Sequence, residues 1–431
     1  MFKKRFSLTL LIFSLIFINL HSLSYDNFEN TLSQIFDWAI DDNEGETAFR
    51  SLLIPFGGRS ESMGEAYTGL SDDISFFQYN AAASSLQTET QLSVFHNSWI
   101  ADSKLDAIAY TTRFGHLGLG TYFSSFYLPF TEYNLFGDRV ASNYYSESFA
   151  GLNISYNFLA GYNFKGLALG ANLKAGWRVM PDFTDNESDE ILANSGIEQS
   201  AFASLVDIGL MMQFNFLKYF SSREPNVRFG LSAQNLGFTL TGFGSESGLK
   251  IDEGLSTILA AGLSLKPIKP LLLAFDFKQP VNFFNITTYL KPYFCFGAAF
   301  QFTTFASLLG GFEIKGGNPK ISAGFEFEIL KVRLNFNYSL DLTSSFNPLN
   351  KVSISAKLLL GDRGRAQIDA LVDKYYQEGL TLFTNREYEE AIKIWQEALK
   401  LNKRFDPAIL GIETAQYRIN ILKKMEDSIK L

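Results

Sequence analysis

The sequence predicts an all-β transmembrane barrel of about 14 antiparallel strands. Between Gln91 and Leu360, apolar and polar side chains alternate in strand-length runs, and the connections between these runs are alternately short and long. Along 148–158, one face carries the apolar residues Ala150, Leu152, Ile154, Tyr156 and Phe158. The opposite face is mostly small or polar. An apolar exterior around a polar interior is typical of a barrel in lipid, where an open sheet edge finds no hydrogen-bond partners.

Fourteen strand candidates cover 91–360, which we assign to the barrel domain. They lie near 91–99, 104–114, 116–124, 147–158, 166–179, 201–216, 226–236, 255–266, 270–279, 290–302, 304–314, 319–328, 330–340 and 351–360. A soluble all-β sandwich also alternates, but it buries its apolar face in a shared core, and it is the alternative architecture. The number of strands and the one-sided distribution of long connections favour the membrane barrel.

Charged residues keep to one face of several strands. Lys174 and Arg178 lie opposite the apolar face of 167–179, and Arg333 lies opposite the apolar face of 330–341. Charges on one face are costly in lipid but tolerated in a wet lumen. We therefore predict four lumen cations, Lys174, Arg178, Arg228 and Arg333. They pair either with the carboxylate head group of a ligand or, across the lumen, with Glu326, Glu328 and Asp341.

The connections predict how the barrel is oriented. Strands meet with almost no loop at Gly115 and at 267–269, whereas longer connections lie near 125–146, 180–200, 237–254, 280–289 and 341–350. Outer-membrane barrels place short turns in the periplasm and long loops outside. We therefore predict a protein of the bacterial outer membrane, in contact with membrane lipid. Both ends of the barrel and the C-terminal tail are expected in the periplasm.

Composition excludes several classes of function. The 431 residues carry a formal net charge of −8, which argues against a nucleic-acid partner. The single cysteine, Cys295, excludes an internal disulfide and a four-cysteine metal site. His96 and His116 have no catalytic partner in the sequence, and no phosphate loop or metal motif occurs. We therefore predict no catalytic residue, no cofactor and no metal site, and interpret the acidic stretch 182–190 as a solvated loop rather than a calcium site.

The N-terminus is typical of a secretory signal peptide over 1–24. A basic stretch from Lys3 to Arg5 precedes an apolar core from Leu8 to Leu20, and small residues follow. An uncleaved membrane anchor is the alternative. The next residues are acidic, and Leu32, Ile35, Phe36 and Ala39 recur at helical spacing. This spacing predicts a short amphipathic helix.

The helix opens a region, 25–90, that precedes the barrel. Its part 55–86 is rich in glycine, serine and alanine and too short to be a domain. Asp72 and Asp73 suit turns or caps. Placed directly before a barrel, this part is predicted to enter the lumen and plug it as a hatch. We predict four hatch residues near a ligand path, Phe76, Phe77, Tyr79 and Asn80, with packing of the hatch core as the alternative role.

The hatch region resembles the FadL-type outer-membrane family of long-chain fatty acid transporters. The family pattern G-x-A-x-x-G-x-x-x-A-D-D…N-P-A is matched here by Gly64, Ala66, Gly69, Asp72, Asp73, Asn80 and Ala82. Ala81 stands where the pattern has proline, so the fixed φ of proline is lost. The stretch GLSAQNLG at 230–237 is similar to a segment of related secretion-associated barrels.

Over 50–360, the chain resembles an uncharacterised spirochaetal group of FadL-like proteins, some of which have a helical tail. This resemblance implies a plugged barrel that transports long-chain fatty acids or similar lipids.

After Leu360 the alternation gives way to helical spacing. The residues that match a tetratricopeptide repeat are Tyr375, Gly379, Tyr388, Ala391, Trp395 and Ala398. We predict a small periplasmic TPR-like helical domain over 366–431, with a further helix from about Pro407 to Lys430. A single repeat buries its apolar face poorly. The tail is therefore expected to dock on the barrel rim, to pair in a dimer or to bind a periplasmic protein partner. A bare helical hairpin that plugs the mouth is the alternative.

Three functions are compatible with this organisation. The first is transport of a hydrophobic small molecule, such as a long-chain fatty acid, through the plugged barrel. The second is an outer-membrane scaffold whose tail recruits a periplasmic partner. The third, a surface adhesin that uses the long loops, ranks last because these loops are modest in length.

Overall fold

The structure is a computed structural model that describes residues 43, 46–134, 136–161, 164–185, 191–220, 224–244, 248–251, 253–315, 318–342 and 350–429. The predicted signal peptide, most of the segment 25–50 including its predicted helix, and residues 186–190 of the acidic loop lie outside this description. Within the described ranges, 14 antiparallel strands close into one barrel, which confirms the predicted architecture.

The strands are β1 (Gln91–Ser98), β2 (Lys104–Phe114), β3 (Leu117–Tyr133), β4 (Arg139–Phe158), β5 (Phe164–Val179), β6 (Ala201–Phe214), β7 (Val227–Leu240), β8 (Thr257–Ile268), β9 (Leu271–Val281), β10 (Tyr293–Gln301), β11 (Ala306–Lys315), β12 (Asn318–Ile329), β13 (Val332–Asp341) and β14 (Asn350–Leu359).

The helices are short before and within the barrel and long after it. They are α1 (Arg59–Ser62), α2 (Ser195–Gln199), α3 (Arg365–Thr384), α4 (Tyr388–Leu401) and α5 (Asp406–Ile429). Short 3₁₀ turns cover Arg50–Leu53, Ile74–Gln78, Ala81–Leu86 and Ile100–Asp102. None of the helices in the described ranges combines the length and the apolar character needed to cross a membrane.

Both chain ends leave the barrel at the same end. Strand β1 closes the wall against β14, with Gln91 opposite Leu359. Just beyond, the Thr90 amide donates to the Gly361 carbonyl at 2.9 Å. The strands that meet here are joined by tight connections, for example 115–116 and 330–331. We call this end the short-turn end and the opposite one the long-loop end.

The two faces of the wall differ as predicted. In β4, Leu152 and Ile154 are 64% and 55% exposed on the outside, whereas Asn153 on the inside is 4% exposed. The predicted lumen cation Lys174 also faces inward and is 7% exposed. Cys295 is buried on the lumen side of β10. An apolar exterior of this kind is the architecture of outer-membrane barrels.

The long connection predicted at 125–146 is wrong. Strand β3 continues to Tyr133 and β4 begins at Arg139, and their pairing runs on from Phe126–Glu147 to Glu132–Ala141. From Tyr127 onward, every residue of β3 is at least partly exposed. Because neither face of this extension is buried, the alternation that marks a strand in the wall is absent there.

Residues 46–90, which we call the lumen segment, run inside the barrel. Met63, Tyr67, Phe76 and Phe77 are at most 1% exposed. They pack in two clusters with inward-facing wall residues such as Tyr122 and Ile258. The lumen is therefore occupied along this segment.

Helices α3, α4 and α5 pack around Trp395 at the short-turn end. The Trp395 side chain is 1% exposed, and its indole N–H donates to the Tyr376 carbonyl at 3.1 Å. A Cβ atom on Gly379 would lie 2.3 Å from the indole nitrogen, so only glycine permits this approach. The other residues predicted from the repeat spacing contribute to the same core, with Ala391 and Ala398 buried and Tyr375 and Tyr388 packed at its edge.

The tail touches the rim of the barrel near its first helix. The Arg365 guanidinium donates to the Thr88 carbonyl at 2.5 Å. The Arg363 guanidinium lies 3.9 Å from the centroid of the Phe114 ring. The structure thus has the tail against the rim, one of the arrangements expected from the sequence.

Candidate functional site in the barrel lumen

The lumen segment is a chain of tight turns whose side chains cap its own backbone. The Asp73 carboxylate accepts from the Ser75 amide at 2.9 Å, and the Asn80 side-chain carbonyl accepts from the Ala82 amide at 3.1 Å. Each begins a 3₁₀ turn. Short polar residues are suited to this role because their side chains reach a nearby amide. Asn80 thus starts its turn without the proline of the family pattern.

Ion pairs join the lumen segment to the wall. Asp73 pairs with Lys357 of β14, and both side chains are at most 1% exposed. Arg59 bridges Asp72 at 3.1 Å and Glu326 of β12 at 2.8 Å. The Tyr67 hydroxyl oxygen lies 2.6 Å from Asp72 Oδ1 and 2.7 Å from Asp73 Oδ1, so the two carboxylates share its one proton. These contacts form a connected network, which we call the latch.

The latch keeps its two aspartates ionised. Burial acts to raise the pKa of Asp73, but the Lys357 ammonium outweighs it, and the pKa lies below its usual range. For Asp72, burial likewise acts to raise the pKa, and the guanidinium groups of Arg59 and Arg228 lower it further than burial raises it. The pairing is therefore strongest when both carboxylates carry charge.

Asp276 of β9 holds the backbone of the lumen segment directly. Its carboxylate oxygen accepts from the amides of Tyr67 and Thr68 at 2.9 and 2.6 Å. On the other side, the Asn80 amide group donates to the wall carbonyl of Leu210 at 3.1 Å. Polar side chains thus satisfy backbone amides of the lumen segment and a backbone carbonyl of the wall, which in a β-sheet would be satisfied by a neighbouring strand.

Inward-facing wall glycines let the two backbones approach. A Cβ on Gly311 would lie 1.9 Å from the Gly64 nitrogen, and one on Gly262 would lie 2.3 Å from the Gly69 nitrogen. A Cβ on Gly170 would lie 2.3 Å from the Ala81 carbonyl oxygen, and one on Gly230 would lie 2.2 Å from that of Thr68. No side chain fits at these positions, so the fit depends on glycine.

The predicted hatch residues are buried where wall and lumen segment meet. Phe76 and Phe77 stack with their ring centroids 4.4 Å apart, and Phe77 lies 5.1 Å from the Tyr122 ring. The Tyr79 ring lies 4.9 Å from the ammonium of Lys278. These contacts are packing contacts, and Phe77 additionally borders a cavity.

This cavity lies on the long-loop side of Phe77. It has a volume of about 20 Å³, and its wall is formed by Phe56, Phe77, Tyr122, Phe126 and Phe149, with Ser124, Glu147 and Lys174 among its polar groups. We call it the aromatic cavity. It has room for about one water molecule.

A far larger compartment lies on the short-turn side of the lumen segment. It has a volume of about 1540 Å³ and is bounded by Arg59 and Asp72 above, by wall residues such as Arg228, and by tail residues such as Arg365 and Arg404. We call it the chamber. The lumen segment therefore separates the aromatic cavity from the chamber.

The structure divides the four predicted lumen cations between these two sides. Lys174 pairs with Asp207 at 2.6 Å, and Arg178 pairs with Glu253 at 2.9 Å, both toward the long-loop end. Arg228 donates to the Leu70 carbonyl at 3.0 Å in the chamber wall. Arg333 pairs with Glu328 at 2.7 Å, also in the chamber wall. Lys174 and Arg178 therefore pair with acidic residues that were not predicted from the sequence. Arg333 pairs with Glu328, which was one of the predicted partners.

Sequence reasoning missed the wall partners of the latch and the tail side of the chamber. Asp73 and Lys357 are 284 positions apart in the chain. In the sequence, Lys357 on the polar face of the last strand was the one sign of a partner for these aspartates. Within the described residues, no group of three His, Cys, Asp or Glu side chains is arranged to hold a metal ion.

The closed wall, the apolar outer face and the occupied lumen define an outer-membrane type of β-barrel protein. The chain belongs to the uncharacterised protein family UPF0164, whose pattern matches residues 32–363. A UPF0164 protein of Treponema pallidum (strain Nichols) is 29% identical over 390 residues, which cover 88% of this chain and 85% of the relative. A second one from the same strain is 27% identical over 403 residues, covering 88% and 78%.

The barrel is also similar to solved structures of transporters and channels. The toluene transporter TbuX of Ralstonia pickettii aligns with a TM-score of 0.45 and 13% identity, covering 70% of this chain and 98% of TbuX. The monoaromatic hydrocarbon channel CymD aligns with a TM-score of 0.44 and 14% identity, covering 71% and 97%.

Proposed function

We propose that the protein carries hydrophobic small molecules across the outer membrane, with the lumen segment as its hatch. The observation that carries this proposal is the separation of two compartments by a segment held through polar contacts. An aromatic-lined cavity lies on one side, and a large chamber bounded by many charged residues lies on the other. A barrel of this kind passes a ligand only when the hatch shifts.

The contacts that hold the hatch are of a kind that can be exchanged. Ion pairs and hydrogen bonds between hatch and wall, such as Asp73 with Lys357 and the Tyr67 amide with Asp276, re-form with water or with other polar groups when the segment moves. A ligand that enters the aromatic cavity would displace Phe77 and enlarge the cavity. The shift would then connect the cavity to the chamber.

Long-chain fatty acids are the ligands we propose within this class. The FadL resemblance implies them, and the aromatic cavity offers an acyl chain the rings of Phe56, Phe77, Tyr122, Phe126 and Phe149. Lys174 lies at the polar edge of this cavity and is held by Asp207. On binding, its ammonium would exchange Asp207 for the carboxylate of the ligand, and Arg178 would reinforce the positive potential on the long-loop side.

A pair of adjacent serines offers a test with a matched control. Ser124 lines the aromatic cavity, whereas Ser125, the next residue, points to the outer face. We expect Ser124→Leu to reduce saturable uptake of a fluorescent long-chain fatty acid into proteoliposomes and Ser125→Leu to leave it unchanged. A heat-dependent gel shift verifies that both barrels are folded. Equal uptake by the two variants would show that the ligand does not pass through the aromatic cavity.

A scaffold role is the second candidate, and the exposed face of α5 favours it. Leu410, Tyr417 and Met425 are 59%, 64% and 56% exposed on that helix. We propose that this TPR-like tail lies in the periplasm and offers the face to a partner protein. Deletion of 366–431 discriminates between the two functions, because transport by the barrel survives it and a scaffold role does not.

A further inference from the structure

Positive charge gathers in the chamber where the tail meets the barrel. Arg113 is the last residue but one of β2, and His116 follows in the β2–β3 turn. Arg365 begins α3, and Arg404 lies between α4 and α5. All four line the chamber. Burial, and then the nearby guanidinium groups of Arg113 and Arg404, lower the pKa of His116. The cations of the wall and of the tail are thus close enough to repel one another.

These three arginines differ from Arg59 and Arg333, which have carboxylate partners in the same chamber. Arg59 and Arg333 are paired with Glu326 and Glu328. The Arg113 guanidinium donates to the Gly115 carbonyl, and that of Arg365 donates to the Thr88 carbonyl, so both bind neutral backbone oxygens. The Nη1 atom of Arg365 is buried without a hydrogen-bond partner. A buried guanidinium nitrogen in this state is normally satisfied by a ligand or solvent.

The nearby carboxylates do not cancel this charge. Asp362 accepts from the amides of Gly364 and Ala366 at 3.0 and 2.6 Å, so it caps the start of α3. Asp369 is the other acidic group whose charge reaches both Arg113 and Arg365. The charges of Asp362 and Glu89 also reach Arg365. Among the described residues that line the chamber, eleven are lysine or arginine and six are aspartate or glutamate, which leaves a positive excess in a protein of net charge −8.

We propose that Arg113, Arg365 and Arg404 form a binding site for an oxyanion head group, a phosphate or a carboxylate, at the junction of barrel and tail. Guanidinium groups bind both kinds of head group through paired hydrogen bonds. The chamber has room for the chain of an amphiphile attached to such a head group. This inference rests on the proposed function. It adds that the transported ligand carries a negatively charged head group when it reaches the chamber.

Direct binding to the full chain in detergent micelles tests the site. The probes are dodecyl phosphate, decanoate and inorganic phosphate, with dodecyltrimethylammonium as the cationic comparison, titrated by calorimetry. We expect the anionic probes to bind and the cationic one not to bind. Binding of dodecyl phosphate with no binding of inorganic phosphate identifies an amphiphile site, and binding of both identifies a general oxyanion site. Either supports the proposal, and no binding of any anion overturns it.

Variants place the binding in the chamber. We expect Arg365→Gln and Arg404→Gln each to weaken anion binding roughly tenfold or more, the usual effect of removing a charged hydrogen-bond donor. Arg365→Lys is expected to recover part of the loss. Arg418→Gln, which removes an exposed arginine from α5 outside the chamber, is the matched control. An equal loss in Arg418→Gln would show non-specific attraction and overturn the site.

The readouts separate this inference from the proposed function. Uptake without anion binding would overturn the head-group site and leave transport standing. Anion binding at the arginines without uptake would leave the site standing and overturn transport.

Discussion

Asp73 illustrates how single residues hold the lumen segment in place. Its carboxylate pairs with Lys357, accepts from the Tyr67 hydroxyl and caps the Ser75 amide. Removing one partner of a buried pair leaves the other charge uncompensated, which costs about 3–5 kcal/mol. We therefore expect Asp73→Asn to lower the free energy of unfolding by that amount, measured by urea titration in detergent with tryptophan fluorescence.

The control for this substitution is Glu390→Gln. Glu390 also forms a close pair, with Lys393 at 2.7 Å on helix α4 outside the barrel, but its side chain is 55% exposed. Exposed pairs contribute about 0–1 kcal/mol. A loss in Asp73→Asn no larger than that in Glu390→Gln would contradict the role assigned to the latch.

Acidification tests the same residues without substitution. The pKa values of Asp72 and Asp73 are depressed in the folded protein, so their contribution is complete above the ordinary value of about 3.9 and is lost as pH falls through the depressed values. Glu65 acts in the opposite direction, because burial and then the Glu313 charge raise its pKa. Stability measured against pH is therefore expected to rise slightly on mild acidification and to fall below about pH 4.

Asp73→Asn should flatten the fall at low pH, because the variant lacks one of the two depressed carboxyl groups. An unchanged fall in the variant would assign the acid sensitivity to other groups.

The sequence predicted the type of these residues better than their partners. Turn and cap chemistry is local, and Asp73 and Asn80 do cap 3₁₀ turns. Their contacts with Lys357 and Leu210 depend on the closure of the barrel. Nothing in the local pattern specifies which inward-facing residue of a 14-stranded wall lies opposite a given position of the lumen segment.

At the scale of elements, the wall and the lumen segment fit through backbone contact. Gly311 and Gly310 are neighbours in β11, yet a Cβ on Gly311 would lie 1.9 Å from the Gly64 nitrogen, whereas one on Gly310 would meet its nearest atom at 3.9 Å. We expect Gly311→Ala to destabilise the folded protein by about 1–3 kcal/mol, the usual cost of overpacking, and Gly310→Ala to be nearly neutral. Hydrogen exchange of the 59–70 amides in each variant is the measurement.

The expected result is faster exchange around Gly64 in Gly311→Ala only. Equal protection in both variants would mean that the lumen segment does not rest on this part of the wall.

Elements were predicted well where one face meets lipid and the other the lumen. The two faces of β4 follow the alternation from Phe149 to Phe158, and those of β5 follow it along most of the strand. The extension of β3 past Tyr127 was not predicted, because both of its faces are partly exposed and no alternation results. The pairing with β4 that creates this extension is a long-range property of the hairpin.

At the scale of the whole molecule, the lumen segment divides the interior into the aromatic cavity and the chamber. The sequence predicted a filled lumen and a set of inward-facing cations. The lumen segment separates the two compartments, and three of the predicted cations line them. The sequence did not indicate that Arg228 and Arg333 lie on one side of the lumen segment and Lys174 and Arg178 on the other. That division depends on how high each residue lies on its tilted strand, which the barrel's shear determines.

The central claim is that the lumen segment must move for a ligand to pass, and a reversible cross-link tests it. The Ser84 and Ser155 hydroxyl oxygens lie 2.6 Å apart, and Ser62 Oγ lies 3.2 Å from Asn335 Oδ1. In a Cys295→Ser background, Ser84→Cys with Ser155→Cys and Ser62→Cys with Asn335→Cys join the lumen segment to the wall at two places. Mass spectrometry verifies each disulfide.

Uptake of a fluorescent long-chain fatty acid into proteoliposomes is measured for the protein with both cross-links, before and after reduction. The proposed mechanism predicts that the oxidised protein takes up no more than empty liposomes and that reduction restores saturable uptake in the same sample. Undiminished uptake by the fully cross-linked protein would contradict it, because the ligand would then pass without movement of the lumen segment.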